Sequence, residues 1–395
     1  MTPGARTQAA IELLDAIIAA ARDRGPAADT LIARYFAERR YAGSKDRRAV
    51  RELVYAAIRR AGERPASGRA AMIALAQAAP ELATTFDGSA HAPSPIKPDE
   101  AVALAGAAPD WLIDRLQGSA LDNGEIGALV GRASLDVRVN TLRATPAEVL
   151  ATLPDAVPLP YAPGGLRLPA GSNVEQLPSY RDGAIEIQDG GSQIVSSAAK
   201  AGRGMAVVDL CAGAGGKSLA LAAAMGNEGQ ILACDIDRAR LSRLAPRAAR
   251  AGASIVETRL LDPGREAAAL ADWQDRADVV LVDAPCSGTG TWRRNPEARW
   301  RLTPERLDRL VTTQWMLLDL AATLVRPGGA LVHVVCSLLD AEGAGQVDAF
   351  LTRHPGWRAE PLDLPAGRPH GAGCRLTPEH DGTDGFFVAR LARPC

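Results

Sequence analysis

The sequence is short of aromatic side chains, paired cysteines, long apolar runs and net charge, and each shortage excludes something. Phe, Trp and Tyr together make up 4% of the 395 residues. That leaves Trp292 and Trp300 as the candidates for stacking on a base, with core packing as the competing fate. The six cysteines form no CxxC pair, so neither a zinc site nor a disulfide framework is expected, and no metal. A cysteine that matters here matters as a nucleophile, and Cys234, Cys374 and Cys395 have no reading beyond packing. The apolar stretch in the first 25 residues is interrupted by Glu12 and Asp15. No segment approaches the length of a membrane span, so a cytoplasmic protein without a membrane partner is expected, a monomer by default.

The net charge of -1 argues weakly against a nucleic-acid partner, but it averages over uneven regions. Between Arg34 and Arg69 stand eleven Lys/Arg against four acids, and a second cluster gathers Arg293, Arg294, Arg299, Arg301, Arg306 and Arg309. Both suit phosphate contacts, although arginines coating solvated helix faces would look the same.

What is present is an ordinary globular balance, 47% hydrophobic and 23% charged, in a chain long enough for two or three domains. Residues 1–80 read as helical, with stripes at Ile11, Leu14, Ile18 and Ala21, at Ala28, Leu31, Ile32, Tyr35 and Phe36, and at Val50, Leu53, Val54, Ala57 and Ile58. Residues 81–109 are rich in proline and small residues and read as a linker. Residues 110–204 alternate at Val137–Val139, Leu166–Leu168 and Ala184–Ile187, which suggests a small α+β unit. From 205 onward, apolar runs at Ala206–Leu210, Gln230–Cys234, Val279–Val282 and Ala330–Val335 alternate with helical stretches at Ser218–Met225, Arg238–Ala251 and Pro304–Val325. That is the pattern of an α/β domain on a mostly parallel sheet, with Gly385–Leu391 as a closing strand.

Chemistry concentrates where those strands end. The first runs into Asp209-Leu-Cys-Ala-Gly-Ala-Gly-Gly-Lys-Ser218, a Gly-rich turn opening a helix. A phosphate-binding P-loop would need glycine where Cys211 stands, and a dinucleotide fingerprint would need it at Ser218. The remaining reading is an S-adenosylmethionine loop over Cys211, Ala212, Gly213, Ala214, Gly215, Gly216 and Lys217, its glycines letting the backbone approach the ligand. Asp235 ends the second strand, where a carboxylate can accept from both ribose hydroxyls, and Asp262 could reach an adenine amino group. The fourth strand delivers Val279-Val-Leu-Val-Asp-Ala-Pro-Cys-Ser-Gly-Thr-Gly290, and the fifth ends Val332-His-Val-Val-Cys-Ser337. Cys286, Cys336 and Asp283 are then expected over one cleft.

These strings resemble the RsmB/Sun branch of the Nop/Nol/Sun family of RNA 5-methylcytosine methyltransferases. The likeness continues through Val137-Arg-Val-Asn140, Gln188-Asp189, Ser192-Gln193, Arg293-Arg-Asn-Pro-Glu297, Arg326-Pro-Gly-Gly329 and Asp384-Gly-Phe-Phe387. Gly43-Ser-Lys-Asp-Arg47 and Glu52-Leu-Val-Tyr55 look like a NusB-type RNA-binding domain. Three departures stand out: Gly213-Ala214 replaces the family's Ala-Pro, Val335 its Thr, and Glu342-Gly343 its Glu-Asn. The resemblance implies a class I, Rossmann-like methyltransferase domain preceded by the α+β unit and an all-helical NusB-like domain. It assigns the attack on cytosine carbon 6 to Cys336, release to Cys286, and support of the ring's N3 and amine to Asp283. The implied substrate is RNA, ribosomal RNA from the small subunit before transfer RNA, presented as an unstacked base. Attack by Cys286, as in cytosine-5 DNA methyltransferases, would leave Cys336 idle. A non-catalytic RNA-binding or ribosome-assembly factor is the alternative outside enzymology.

Overall fold

Helical spacing of apolar residues builds the first part of the chain. In the computed structural model, which describes residues 1–23 and 25–395, helices α1 (Pro3–Arg22), α2 (Ala28–Glu38), α3 (Ser44–Arg60) and α4 (Gly68–Ala78) share one core. Ala10, Leu13, Leu14, Ile17 and Ala21 of α1 are buried there with Ile32, Phe36, Val50, Val54 and Ile58. Ile18, expected in the stripe, lies at its flank, only partly buried, because the helix presents the 10–14–17–21 row inward. Residues 81–109 are no free linker: Leu82 and Phe86 join that core, Ala105 bridges to Ala61, and Arg69 holds Glu100 at 2.5 and 2.8 Å. The prolines there shape turns, and two apolar side chains pin the segment down.

The same compact unit, Met1–Arg132, also contains Thr291–Pro304. Arg299 is fully buried and donates to the carbonyls of Ile58 (2.7 Å), in the last turn of α3, and Ala61 (2.8 Å), its C-cap. Glu297 accepts from Ala28 N at 3.0 Å, the first residue of α2, and Arg301 donates to Gly25 O and Pro26 O at 2.7 Å. Cation at a helix C-terminus and anion at an N-terminus is the arrangement that satisfies orphaned backbone groups and the helix dipole. Arg299 therefore caps α3 and Arg301 holds Gly25 and Pro26 ahead of α2, so these two arginines are committed to backbone carbonyls and not to the phosphate expected of them. Trp292 and Trp300 are 0% and 4% exposed, so neither offers a stacking face.

The second unit, Ala133–Gly290 with Glu305–Cys395, carries two sheets. Strands β1 (Leu135–Val139), β2 (Val157–Pro158), β3 (Gly165–Leu168) and β4 (Ile185–Ile187) form an antiparallel sheet in the order β2-β3-β1-β4. The larger sheet has five parallel strands in the order β7-β6-β5-β8-β9: β5 (Ala206–Asp209), β6 (Gln230–Asp235), β7 (Val256–Leu260), β8 (Ala277–Asp283) and β9 (Val325–Val335). Four short strands flank it in antiparallel fashion: β10 (Arg358–Glu360), β11 (Arg368–His370), β12 (Gly373–Leu376) and β13 (Phe386–Ala392), with β13 against β9. The order reverses between β5 and β8, which opens a crevice at the strands' carboxyl ends. The stretch Arg238–Ala251 splits into helices Arg238–Leu241 and Leu244–Ala251, because Pro246 has no N–H to offer the carbonyl of Ser242.

Family-like motifs join the two sheets. Asn140 donates to Gly183 O and Ala251 O at 2.8 and 2.7 Å. Arg138 donates to Gln188 at 2.7 Å. Asp189 caps the helix Gly190–Ser197 through Gly191 N, 2.7 Å, and also accepts from Asp384 N.

His333 on β9 is fully buried, with Nε2 2.9 Å from Glu342 O. Burial lowers its pKa to about 4, against smaller opposing pulls from that carbonyl and Asp283. It is neutral in the folded chain, so below about pH 6.5 the unfolded chain gains a proton that the folded one refuses until about pH 4. Stability on the order of 3 kcal/mol should be lost across that window. We expect the melting temperature of His333→Gln to fall less than that of the wild type between pH 7 and pH 4.5; parallel pH profiles would contradict the assignment.

Candidate active site

β8 lies parallel beside β9 with Asp283 opposite Val334. Each strand then leaves the sheet through a Cys-Ser pair, Cys286-Ser287 and Cys336-Ser337. Neighbouring residues point to opposite sides of an extended chain, and both pairs do the same thing. The half-buried sulfurs meet at the cleft, Sγ to Sγ 3.4 Å, while the serine hydroxyls meet beneath them, Oγ to Oγ 3.1 Å.

Under the cysteines lies a fully buried carboxylate. Glu342 accepts from Ser287 N (2.8 Å), from Ser287 Oγ, and from Gln314 Nε2 (3.0 Å). Gln314 also donates to Pro285 O at 2.9 Å, and Thr289 takes Leu338 N at 2.8 Å. The two sulfur-bearing loops are thus tied together below the cleft by groups that sequence reasoning did not assign. The available signal was the repeat itself, a serine after each cysteine.

The Cys286 thiol is pushed well above its usual range, first by its hydrogen bond to Cys336, then by burial, then by the charges of Cys336 and Glu342. Lys217 Nζ sits 2.7 Å from Asp283 Oδ2. Burial works against the ammonium, yet the pull of Asp283, with Cys336 and Asp209 behind it, raises its pKa and keeps it charged. Asp283 keeps its side chain 32% exposed toward solvent.

The Gly-rich loop follows β5. Ala212 N donates to Cys234 O (2.8 Å), Gly213 N to Asp235 Oδ2 (2.7 Å), and Gly215 N back to Ala212 O (2.8 Å). Gly213 and Gly215 have φ of +57° and +83°, and a Cβ on Gly215 would lie 2.0 Å from Leu244 Cδ1. Glycine is required here by the turn and by Leu244, in addition to whatever a ligand demands. Cys211 packs with its thiol pushed up by burial, and Gly216 opens the helix Gly216–Ala224. Asp235 is 6% exposed and also accepts from Asp237 N at 2.7 Å. Asp262 lies exposed just beyond β7.

This edge suits a cationic ligand better than a phosphate. Asp209, Asp235 and Asp283 end three adjacent strands, and Lys217, the P-loop's phosphate partner, is committed to Asp283. Asp209 is fully buried, accepts from Ser218 Oγ at 2.6 Å through one oxygen, and has a second, Oδ1, with no partner. Burial raises its pKa to about 7. The donor and acceptor set therefore fits S-adenosylmethionine, which carries a sulfonium, an ammonium and ribose hydroxyls.

Comparison with known proteins identifies the family. The profile of the family described as 16S rRNA methyltransferase RsmB/F matches residues 199–392. Ribosomal RNA small subunit methyltransferase B of Xylella fastidiosa is 36% identical over 303 residues, 74% of this chain and 70% of that one. The protein of the same name from Xanthomonas campestris is 34% identical over 300 residues, 74% of this chain and 68% of that one. The match spans about two thirds of the length of such relatives. A solved methyltransferase homolog from Pyrococcus horikoshii, 24% identical, shares the fold with a TM-score of 0.61 over 72% of this chain and 99% of its own. The chain belongs to the RsmB/Sun branch of the Nop/Nol/Sun family of S-adenosylmethionine-dependent RNA 5-methylcytosine methyltransferases.

Proposed function

We propose that this protein methylates carbon 5 of a cytosine in small-subunit ribosomal RNA, through a covalent adduct on Cys336. The observation that carries the reading is the 3.4 Å contact of two thiols beside the Lys217–Asp283 pair, at the mouth of the cofactor crevice.

The Cys286 thiol, raised by its hydrogen bond to Cys336 and by burial, enters the reaction protonated, and the attack belongs to Cys336, as the family resemblance assigns it. Its addition to carbon 6 of cytosine gives carbon 5 enamine character. Asp283, paired with Lys217, holds the ring's N3 and amine in this reading while charge develops there. S-adenosylmethionine supplies the methyl group that carbon 5 takes up. Once the Cys336 sulfur is a thioether, the interaction that contributes most to raising the Cys286 pKa is gone. Cys286 then gives its thiol proton to solvent and, as a thiolate, takes the carbon 5 proton, and the ring expels Cys336 as a thiolate. Exposed Arg34, Arg40, Lys45 and Arg48 on and near α3 offer the RNA a basic face.

With protein-free small-subunit RNA and S-adenosylmethionine, Cys286→Ala should accumulate a protein–RNA adduct on a denaturing gel, and Cys336→Ala should form none. The reverse pattern would exchange the two roles, and an adduct seen only with transfer RNA would move the substrate. Lys217→Met should slow single-turnover methylation about a hundredfold through loss of Asp283 orientation; a rate within threefold of wild type would remove Lys217 from the chemistry.

A further inference from the structure

The turn that must cradle the cofactor has nothing of its own to grip with. Cys211, Ala212, Gly213, Ala214, Gly215 and Gly216 carry no side chain longer than a thiol, and such a segment has much backbone entropy to lose on ordering. Three of its backbone N–H groups are held, Ala212 N by Cys234 O, Gly213 N by the Asp235 carboxylate and Gly215 N by Ala212 O. The remaining hold comes from outside. Arg247, on the helix Leu244–Ala251, donates Nη1 to Ala214 O at 2.5 Å and Nη2 to Glu186 Oε2 at 2.8 Å.

Glu186 is the anchor. It lies on β4 of the small sheet, is 2% exposed, and has its other oxygen 2.5 Å from Arg250 Nη2. Arg250 in turn stacks on Tyr180 at 4.1 Å. A planar guanidinium can serve both partners at once, which an ammonium on a flexible stem does poorly. The arrangement runs from a buried carboxylate on one sheet, through one arginine, to a single carbonyl in the turn on the other.

We infer that Arg247 is a positioning residue for S-adenosylmethionine, locking the 211–216 turn open for the ligand by tying Ala214 to the buried Glu186. The inference rests on the cofactor assignment above. Arg247 touches neither reacting sulfur, so its effect falls on cofactor affinity and leaves the rate of the loaded enzyme alone. Removing it leaves Glu186 paired with Arg250, so the buried carboxylate is not orphaned and the chain should fold. The turn also offers an independent way to restore what the arginine supplies. Gly215 N closes on Ala212 O with φ positive at Gly213 and negative at Ala214, the sign pattern of a type II′ turn, and a proline at 214 suits that negative φ.

The test uses the full chain and S-adenosylhomocysteine as the probe, titrated calorimetrically. Arg247→Met should weaken binding about tenfold, the worth of one charge-assisted hydrogen bond. Turnover at saturating S-adenosylmethionine should stay within about twofold of wild type. Adding Ala214→Pro to Arg247→Met should recover most of the lost affinity, and hydrogen exchange across 210–216 in the unliganded single variant should be faster than in wild type. Unchanged affinity in Arg247→Met would overturn the inference. So would a loss that Ala214→Pro leaves unrestored with exchange across 210–216 unaltered. A wild-type chain that fails to bind the probe would overturn the cofactor assignment itself, and this inference with it.

Discussion

The site depends on one buried acid. Glu342 sits beneath two loops that leave adjacent strands, and its oxygens collect a backbone N–H and hydroxyl from one loop and, through Gln314, the strand end that precedes it. The Ser287–Ser337 contact completes the tie to the second loop. A carboxylate taken wholly out of water is costly unless its partners are close and fixed, so this one tolerates few arrangements of the loops. The distance between the sulfurs is set from below, by groups that do not touch substrate. The same charge adds to the forces that keep the Cys286 thiol protonated.

Three acids, Asp209, Asp235 and Asp283, end strands at the crevice, and Lys217 pairs with one of them. That imbalance explains why the turn after β5, superficially a phosphate loop, favours a positively charged ligand. It also gives Lys217 a double use, because it orients Asp283 and lies within electrostatic reach of Cys336. The basic side chains that RNA requires are kept elsewhere. Arg299 is spent on the end of α3 and Arg301 on the carbonyls of Gly25 and Pro26, while the exposed cations of α3 remain toward solvent.

The chemistry was legible in the sequence because it lies at strand ends. Short apolar runs broken by Asp209, Asp235, Asp283 and Cys336 announce both the parallel sheet and the residues at its edge, and the resemblance supplied the roles. What escaped the sequence was long-range pairing. Nothing local distinguishes Arg299, buried against the end of α3, from Arg309, which is exposed. Residues 81–109 read as a linker because proline content outweighs two apolar anchors, Leu82 and Phe86, that matter only once a core exists to receive them. β7 shows no apolar run because its alternation, Val-Glu-Thr-Arg-Leu, belongs to a sheet edge with little burial. Arg247 and Glu186 stand 61 residues apart, and neither carries a motif.

The central claim is that the two contacting thiols divide the labour, Cys336 attacking and Cys286 serving release. Time-resolved alkylation of the free protein by iodoacetamide at neutral pH, followed by peptide mass spectrometry, reads this directly. The account predicts that Cys336 is modified first, with Cys286 lagging. First modification at Cys286, or equal rates at both, would contradict it.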